Sequence, residues 1–523
     1  MYNNIPAEKF QFANRDDYLH DSKLETKPVS YFQGAFKRFC KNKGAVVAAI
    51  IIAILVLFSI IAPIFTPFQP AYYDMVYAYV TPRTKVFAES DMNFWDGCRN
   101  KETNYVGYLK DLAIAQETGR EVIKNGEYEV SPDGSSYTYR YDTYFGVGFG
   151  KYKIISQEEF DDIQRYQNET GRQVLYPVVK FSERPTLEKN KYDANIYYEM
   201  ENPKASVIRP KLDKKGNIVP NYWRHEAGEE NPLIPAYNSL RIEGENGFTK
   251  DGTQYLYAYG RRIDGGIEIR AEYYEYYIYQ HTQVLKDGIE EPVFWFGTTQ
   301  TGKDIFACLA YGARFSFIFA SVVAIANFIV GVIWGSISGY FGGKTDLIME
   351  RITDVLYAIP TIIVITLLKY HMGASSQVLV LFIAFFLTGW IGMSSVTRMQ
   401  FYRYKNQEYV LAARTLGARD ARIMFKHIFP NGLGTIVTKF ALVIPAMIYS
   451  ETSFTYLGII NLEAGNTTSV GTLIAAGQQS IIANAAYVAI FPCAFLVLLM
   501  LSFNLFGNGL RDAFNPSLRG TED

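Results

Sequence analysis

Cysteine and histidine are scarce in this sequence, with four and five among 523 residues. Cys40, Cys98, Cys308 and Cys493 form no CxxC pair and no metal-ligand spacing, which argues against zinc modules and thioredoxin-like redox centres. No HExxH, histidine cluster, Ser/Lys dyad or carboxylate pair is visible, so no catalytic residue and no metal site is expected. An excess of one charge is missing too. Lys and Arg number 51 against 52 Asp and Glu, and such a balance carries no basic field for nucleic acid. Long apolar runs are absent from Thr66 to about Pro292, although 49% of the whole chain is hydrophobic. A mean hydropathy of −0.02 therefore averages very apolar segments with one long polar one.

The first apolar segment, Gly44 to Phe65, follows Lys37, Arg38, Lys41 and Lys43. It is long enough for a bilayer core of ~30 Å. The rival reading, a cleaved signal peptide, fits poorly: the n-region is too long, the apolar run exceeds a typical h-region, and no small-x-small site precedes Pro63. Five further spans are expected at 315–340, 355–368 (interrupted by Pro360), 377–397, 435–457 and 485–506. Gly331, Gly335 and Gly339 share one helical face, the small-xxx-small spacing that lets helices approach closely in lipid. Between Arg398 and Lys426 there are seven basic residues and two acids, whereas Gly458 to Ser480 has no Lys or Arg. The positive-inside rule then puts the first stretch and both termini in the cytoplasm. Glu451 is an acid within a span near its outer end, either paired and functional or reaching water at the interface.

The polar stretch between the first two spans holds 27 of the 40 tyrosines, from Ala71 to Glu290. Tyr137 to Tyr141 and Gln254 to Tyr259 alternate with period two, and Asp133-Gly134, Asp251-Gly252 and Asp264-Gly265 signal tight turns. Gln157 to Asn168 reads as a helix. The expectation is a mostly β domain outside the membrane, its tyrosines serving sheet faces and core in preference to a peptide-contacting surface. Cys98 and Cys308 would share that side, which leaves a disulfide open. Gly297 to Lys303 imitates a phosphate-binding loop, but Asp304 stands where a hydroxyl must meet Mg²⁺, so that reading fails.

The stretch Glu408 to Asn431 is expected to form two short helices, the first closed by Gly417, the second capped by Asp420 and stopped before Pro430. Its Ala412-Ala413, Gly417 and Phe429-Pro430 pattern resembles the EAA loop of ABC importer permeases, and His427 to Asn431 is similar to the peptide and nickel branch. Leu411 stands where the motif often has glutamate. Other elements resemble the same family in order: Gly297 to Ser316 (GTD-x-x-GRD…YGARxS, with Thr299 and Lys303 departing), Gly342 to Asp354 (GG-x-x-D…R-x-x-D), Glu451 to Gly458 (E-x-x-x-S-F/Y-L-G, with Thr455 for Ser) and Asn504 to Asp512 (NLLGDGLRD, with Asn508 for Asp).

The resemblance implies an α-helical integral membrane protein with six transmembrane helices in the ABC type I importer permease fold. The large β-rich extracytoplasmic domain is inserted between helices 1 and 2 and resembles nothing nameable. The expected divisions are a cytoplasmic segment 1–43, helix 44–65, outer domain 66–293, outer amphipathic element 294–314, five-helix core 315–510 with coupling loop 401–431, and cytoplasmic tail 511–523. The resemblance further implies a plasma-membrane permease subunit importing oligopeptides or dipeptides, no enzyme itself. Its partners would be a second permease, one or two cytoplasmic ABC ATPases that bind ATP and Mg, an extracytoplasmic substrate-binding (lipo)protein, and membrane lipid. Glu408, Ala412, Ala413, Arg414, Gly417, His427, Phe429 and Pro430 would couple to the ATPase; Pro360, Pro445 and Glu451 would border the translocation path. Two alternatives remain: a surface receptor or scaffold acting through the outer domain, and a nickel permease.

Overall fold

Apolar helices set the architecture of the computed structural model. It describes residues 31–514 except 91, 149–150, 176–177, 251–252, 258–259, 264–265, 374–376, 464–466 and most of 181–246, where 197–198, 214–215 and 220–221 are described. Five helices are long and apolar enough to cross a membrane: Lys43–Phe65, Ile305–Phe341, Gln377–Tyr404, Asp420–Tyr456 and Tyr487–Phe514. A sixth crossing is a pair, Gly343–Tyr357 and Thr361–Met372, bent by 69°. Its two ends show that it traverses the bundle. At the start, Asp346 takes Nε and Nη2 of Arg398, each at 2.6 Å, beside the end of the second span. At the finish, Lys369 donates to the Ile459 carbonyl at 2.6 Å, beyond the far end of the fifth span. Pro360 opens the second arm in extended backbone (φ −63°, ψ 125°), and the residue before a proline resists helix, so the break falls where the sequence places it. The expected short span at 355–368 is thus the middle of a longer, bent crossing.

The glycine face packs as its spacing predicts. A Cβ on Gly331, Gly335 or Gly339 would stand 2.6, 2.3 or 2.7 Å from the carbonyl oxygens of Trp390, Ser394 and Arg398 in the fourth span. Only hydrogen fits there, and the second and fourth spans meet backbone to backbone. The amphipathic helix Tyr31–Lys41 lies against the end of the sixth span, Arg38 Nε donating to the Ala513 carbonyl at 2.9 Å and Phe39 meeting Phe506 edge-on. Between the last two spans, where a loop was expected, Val470–Ser480 is a helix started by a Ser469/Thr472 capping box. It tucks among its neighbours through Gly471 and Gly477.

The segment joining the first two spans departs from expectation. It is mixed α/β among the described residues, not β-rich. Strands Cys98–Thr103 (β1), Ile123–Val130 (β2) and Tyr137–Asp142 (β3) form one antiparallel sheet, and Lys151–Ile155 (β4) pairs with Gly266–Ala271 (β5) in another. Helices Tyr105–Thr118, Gln157–Thr170 and Tyr273–Tyr279 supply a comparable share. Alternation revealed β3, and Gly134 (φ +70°) turns the chain between β2 and β3. The turns at Asp251-Gly252 and Asp264-Gly265 lie outside the described residues, although the strands flanking each pair across them. Tyr273–Tyr279 is helix, its tyrosines at i,i+3 spacing packing on two sides at once: Tyr276 and Tyr279 enter one core, Tyr274 and Tyr277 another. Among the described tyrosines of this segment, Tyr77, Tyr139, Tyr141, Tyr144, Tyr166, Tyr274, Tyr276, Tyr277 and Tyr279 are buried. All four cysteines are free, and burial pushes the Cys98 thiol up to about 12.

This segment does not stand apart from the spans. Phe68, Tyr77, Val80, Tyr144, Phe294 and Ala307 share one core. The false phosphate loop is its clasp: Thr298 Oγ1 accepts from Val80 N at 3.0 Å, Tyr79 N donates to the Thr299 carbonyl at 3.1 Å, and Asp74 N to the Gly302 carbonyl at 3.3 Å. Gly302 (φ +75°) sits so close that a Cβ would fall 1.7 Å from the Asp74 carbonyl oxygen. Asp304 accepts from Phe306 N and Ala307 N and starts the second span at Ile305. The expected amphipathic element 294–314 therefore divides into this clasp and the first turns of the helix.

Candidate functional site

The loop between the fourth and fifth spans is built on a buried post. Val410, Ile423, Met424 and Ile428 pack with Tyr340, at the end of the second span, and with Phe401. The helix Glu408–Thr415 lies over them and ends in a Schellman turn: Ala418 N bonds the Ala413 carbonyl at 3.1 Å and Gly417 N the Arg414 carbonyl at 3.0 Å, with Gly417 at φ +79°. The turn leaves Leu416 88% exposed, beside half-exposed Leu411 and Tyr409.

Two expectations about the second half of the loop are corrected. Asp420 does not cap its helix; Arg419 occupies the cap position without a side-chain bond, and Asp420 accepts the Tyr340 hydroxyl at 2.5 Å. Nor does Pro430 stop the helix. Ile423–Ile428 winds as π-helix and Pro430 falls in the first turn of Phe429–Tyr456, where a missing N–H costs little, so one helix runs into the membrane. Tyr340 also lies within 3.4 Å of Arg414 Nη2, which makes it the hinge pin between both halves of the loop and the second span. Sequence reading missed it, since one tyrosine among 40 gives no signal.

Glu408, Ala412, Arg414 and Pro430 are exposed, and Ala413, His427 and Phe429 half-buried. Asp346 receives Arg398 on both oxygens, Tyr402 at 2.6 Å and Ser338, joining three spans under the loop. Lys405 Nζ bonds the Gly339 carbonyl at 3.0 Å.

The other expected residues lie elsewhere. Pro360 is exposed at the bend of the third crossing. Pro445 and Glu451 are buried inside the bundle, not on an open face. Glu451 is fully buried, Oε2 accepting from Ser316 Oγ of the second span at 2.9 Å and Oε1 from Thr455 Oγ1 of its own helix at 3.2 Å. It tethers the second span to the fifth.

Known proteins match on both sides of the joining segment. A family model described as the binding-protein-dependent transport system inner membrane component matches residues 331–520, which include the loop. The N-terminal TM domain of oligopeptide transport permease C matches 30–82. The oligopeptide transport system permease protein OppC of Bacillus subtilis is 40% identical over 252 residues, 48% of this chain and 81% of that protein. This chain belongs to the oligopeptide and dipeptide permease family of ABC importers. The dipeptide permease DppC of the same organism is 39% identical over 225 residues, 43% of this chain and 69% of its own length. OppC of Escherichia coli K12 is 34% identical over 225 residues, 43% and 73% of the two chains. As a permease of this family the chain is a multi-pass transport subunit, not an enzyme. Neither the receptor nor the nickel alternative is favoured by relatives with these names.

Proposed function

We propose that this permease imports oligopeptides or dipeptides, with a second permease, one or two cytoplasmic ATPases binding ATP and Mg, and an extracytoplasmic substrate-binding protein. The exposed Leu416 apex, held over Tyr340, carries this reading. The loop at 401–431 and both termini would face the cytoplasm, where the seven basic residues from Arg398 to Lys426 favour them. Closure of the ATPases would push on Glu408, Ala412, Ala413, Arg414 and Gly417. Tyr340 and the continuous helix through His427, Phe429 and Pro430 would pass that push to the second and fifth spans. The bend at Pro360 is the point where the third crossing yields. Pro445 and Glu451 act as internal supports near the path. The mixed α/β segment would face outside, over the mouth of the path, and help hold the binding protein there, raising its effective concentration.

The deciding experiment reconstitutes the complex in proteoliposomes and measures ATP-driven uptake of a labelled peptide. Uptake that requires the binding protein and disappears on removing the ATPases is expected. ATP turnover without peptide accumulation would reject the reading.

A further inference from the structure

One face of the fifth span is unlike the lipid-facing side of a membrane helix. Asn431, Thr435, Lys439, Leu442, Ala446, Tyr449 and Ser453 fall on a single stripe by 100° steps, Leu442 and Ser453 half-buried and the others exposed. The opposite side, with Ile436, Ile448, Glu451 and Thr455, is buried against the second, fourth and sixth spans and the helix Val470–Ser480. The first span shows what a lipid face looks like in this chain: Val47, Ile50, Ile54, Leu57 and Ile61. The stripe instead carries hydroxyls, a tyrosine 54% exposed and a lysine.

Lys439 is exposed and has no hydrogen-bond or ion-pair partner among the described residues. Its neighbour Phe440 meets Phe328 edge-on at 5.0 Å, twelve residues before Tyr340 in the second span, so Lys439 lies well inside the bundle, about 18 Å along that span from its Tyr340 end. An ionised side chain at that depth faces water or a partner, not acyl chains. The stripe bears no acid, since Glu451 points into the bundle, so the field along it is cationic.

We infer that this stripe lines the translocation path and that Lys439 is a specificity-determining residue for an anionic group on the substrate, in a peptide its C-terminal carboxylate. The inference rests on the peptide-permease reading. A mobile ammonium suits this role, because it offers a point charge without the bidentate grip that would hold a carboxylate too long. The hydroxyls above it exchange weak bonds with the passing backbone.

Uptake is measured in proteoliposomes holding the whole complex, with one labelled peptide as free acid and as C-terminal amide, each at saturating binding protein. Comparing variants with the same binding protein cancels its own preference. Lys439→Gln should lower the acid-to-amide ratio by roughly tenfold, the worth of one charge-assisted contact, and Lys439→Arg should keep it. An unchanged ratio, or equal loss of both peptides, overturns the assignment. Failure of Lys439→Gln to assemble while Lys439→Arg assembles places the charge in a subunit interface and also overturns it. Wild-type complex that moves neither peptide refutes the peptide reading itself, a result distinct from all of these.

Discussion

Gly417 meets open space where a Cβ would be, so its constraint is the left-handed backbone and not crowding. Gly417→Ala should cost about 1 kcal/mol locally and leave most transport intact. Gly417→Asp adds a charge at the apex beside Leu416. Normal insertion with transport largely lost is expected, and near-wild-type uptake would remove the loop from the mechanism. Asp304 offers a pH readout. Burial pushes its carboxyl up to about 7 although two backbone N–H groups favour the ionised form. An acid raised in the folded state binds its proton more tightly there than when unfolded. Its contribution is therefore full below about 4 and lost as pH rises to about 7. Asp304→Asn keeps a capping oxygen without the charge. Thermal unfolding between pH 4 and 8 should depend less on pH in that variant, and an unaltered profile would contradict the burial argument. Glycine 417 was legible in the sequence because its requirement is local. Asp420 was misread because a tyrosine 80 residues away claims its carboxylate, and no local rule contains that contact.

Helices were legible where composition alone decides them, and their ends were not. The second span begins ten residues earlier than its apolar run, since Asp304 and the clasp, rather than hydropathy, set its start. The glycine face was readable because spacing of four is a geometric statement. Its test is a paired substitution. Gly335→Ala drives a methyl into the Ser394 carbonyl, an overpacking that should cost roughly 1–3 kcal/mol. Gly392, in the fourth span, has nothing within 4 Å of its added Cβ, so Gly392→Ala should be neutral or better. Detergent-solubilised melting temperatures should separate the two, and equal behaviour would mean the close contact is not formed in the membrane. The helix Tyr273–Tyr279 went unread for a related reason: tyrosine favours strands only while one face is buried, and here rings enter two cores.

At the scale of the whole molecule, the clasp and a shared core tie the joining segment to the spans. Replacing Ala71–Glu290 by a Gly/Ser linker would uncover Phe294, Ile305 and Ala307, all 0% exposed. Such a permease should assemble poorly at any level of binding protein, and intact assembly with ordinary uptake would show the clasp to be dispensable. Topology is tested separately. In a background lacking native cysteines, Ser135→Cys should react with an impermeant reagent from outside and Arg419→Cys should not; the reverse pattern inverts the orientation. The second span binds these two regions mechanically. At 1.5 Å per residue it is ~55 Å long, nearly twice a bilayer core of ~30 Å, so it is a rod that outruns the membrane. Its start is fastened in the clasp and its end is pinned through Tyr340 to the loop. A tilt of about 5° swings one end of such a rod by roughly 5 Å relative to the other. Such a rod would act as a lever: a stroke delivered at the loop would reach the joining segment as a displacement of the same order.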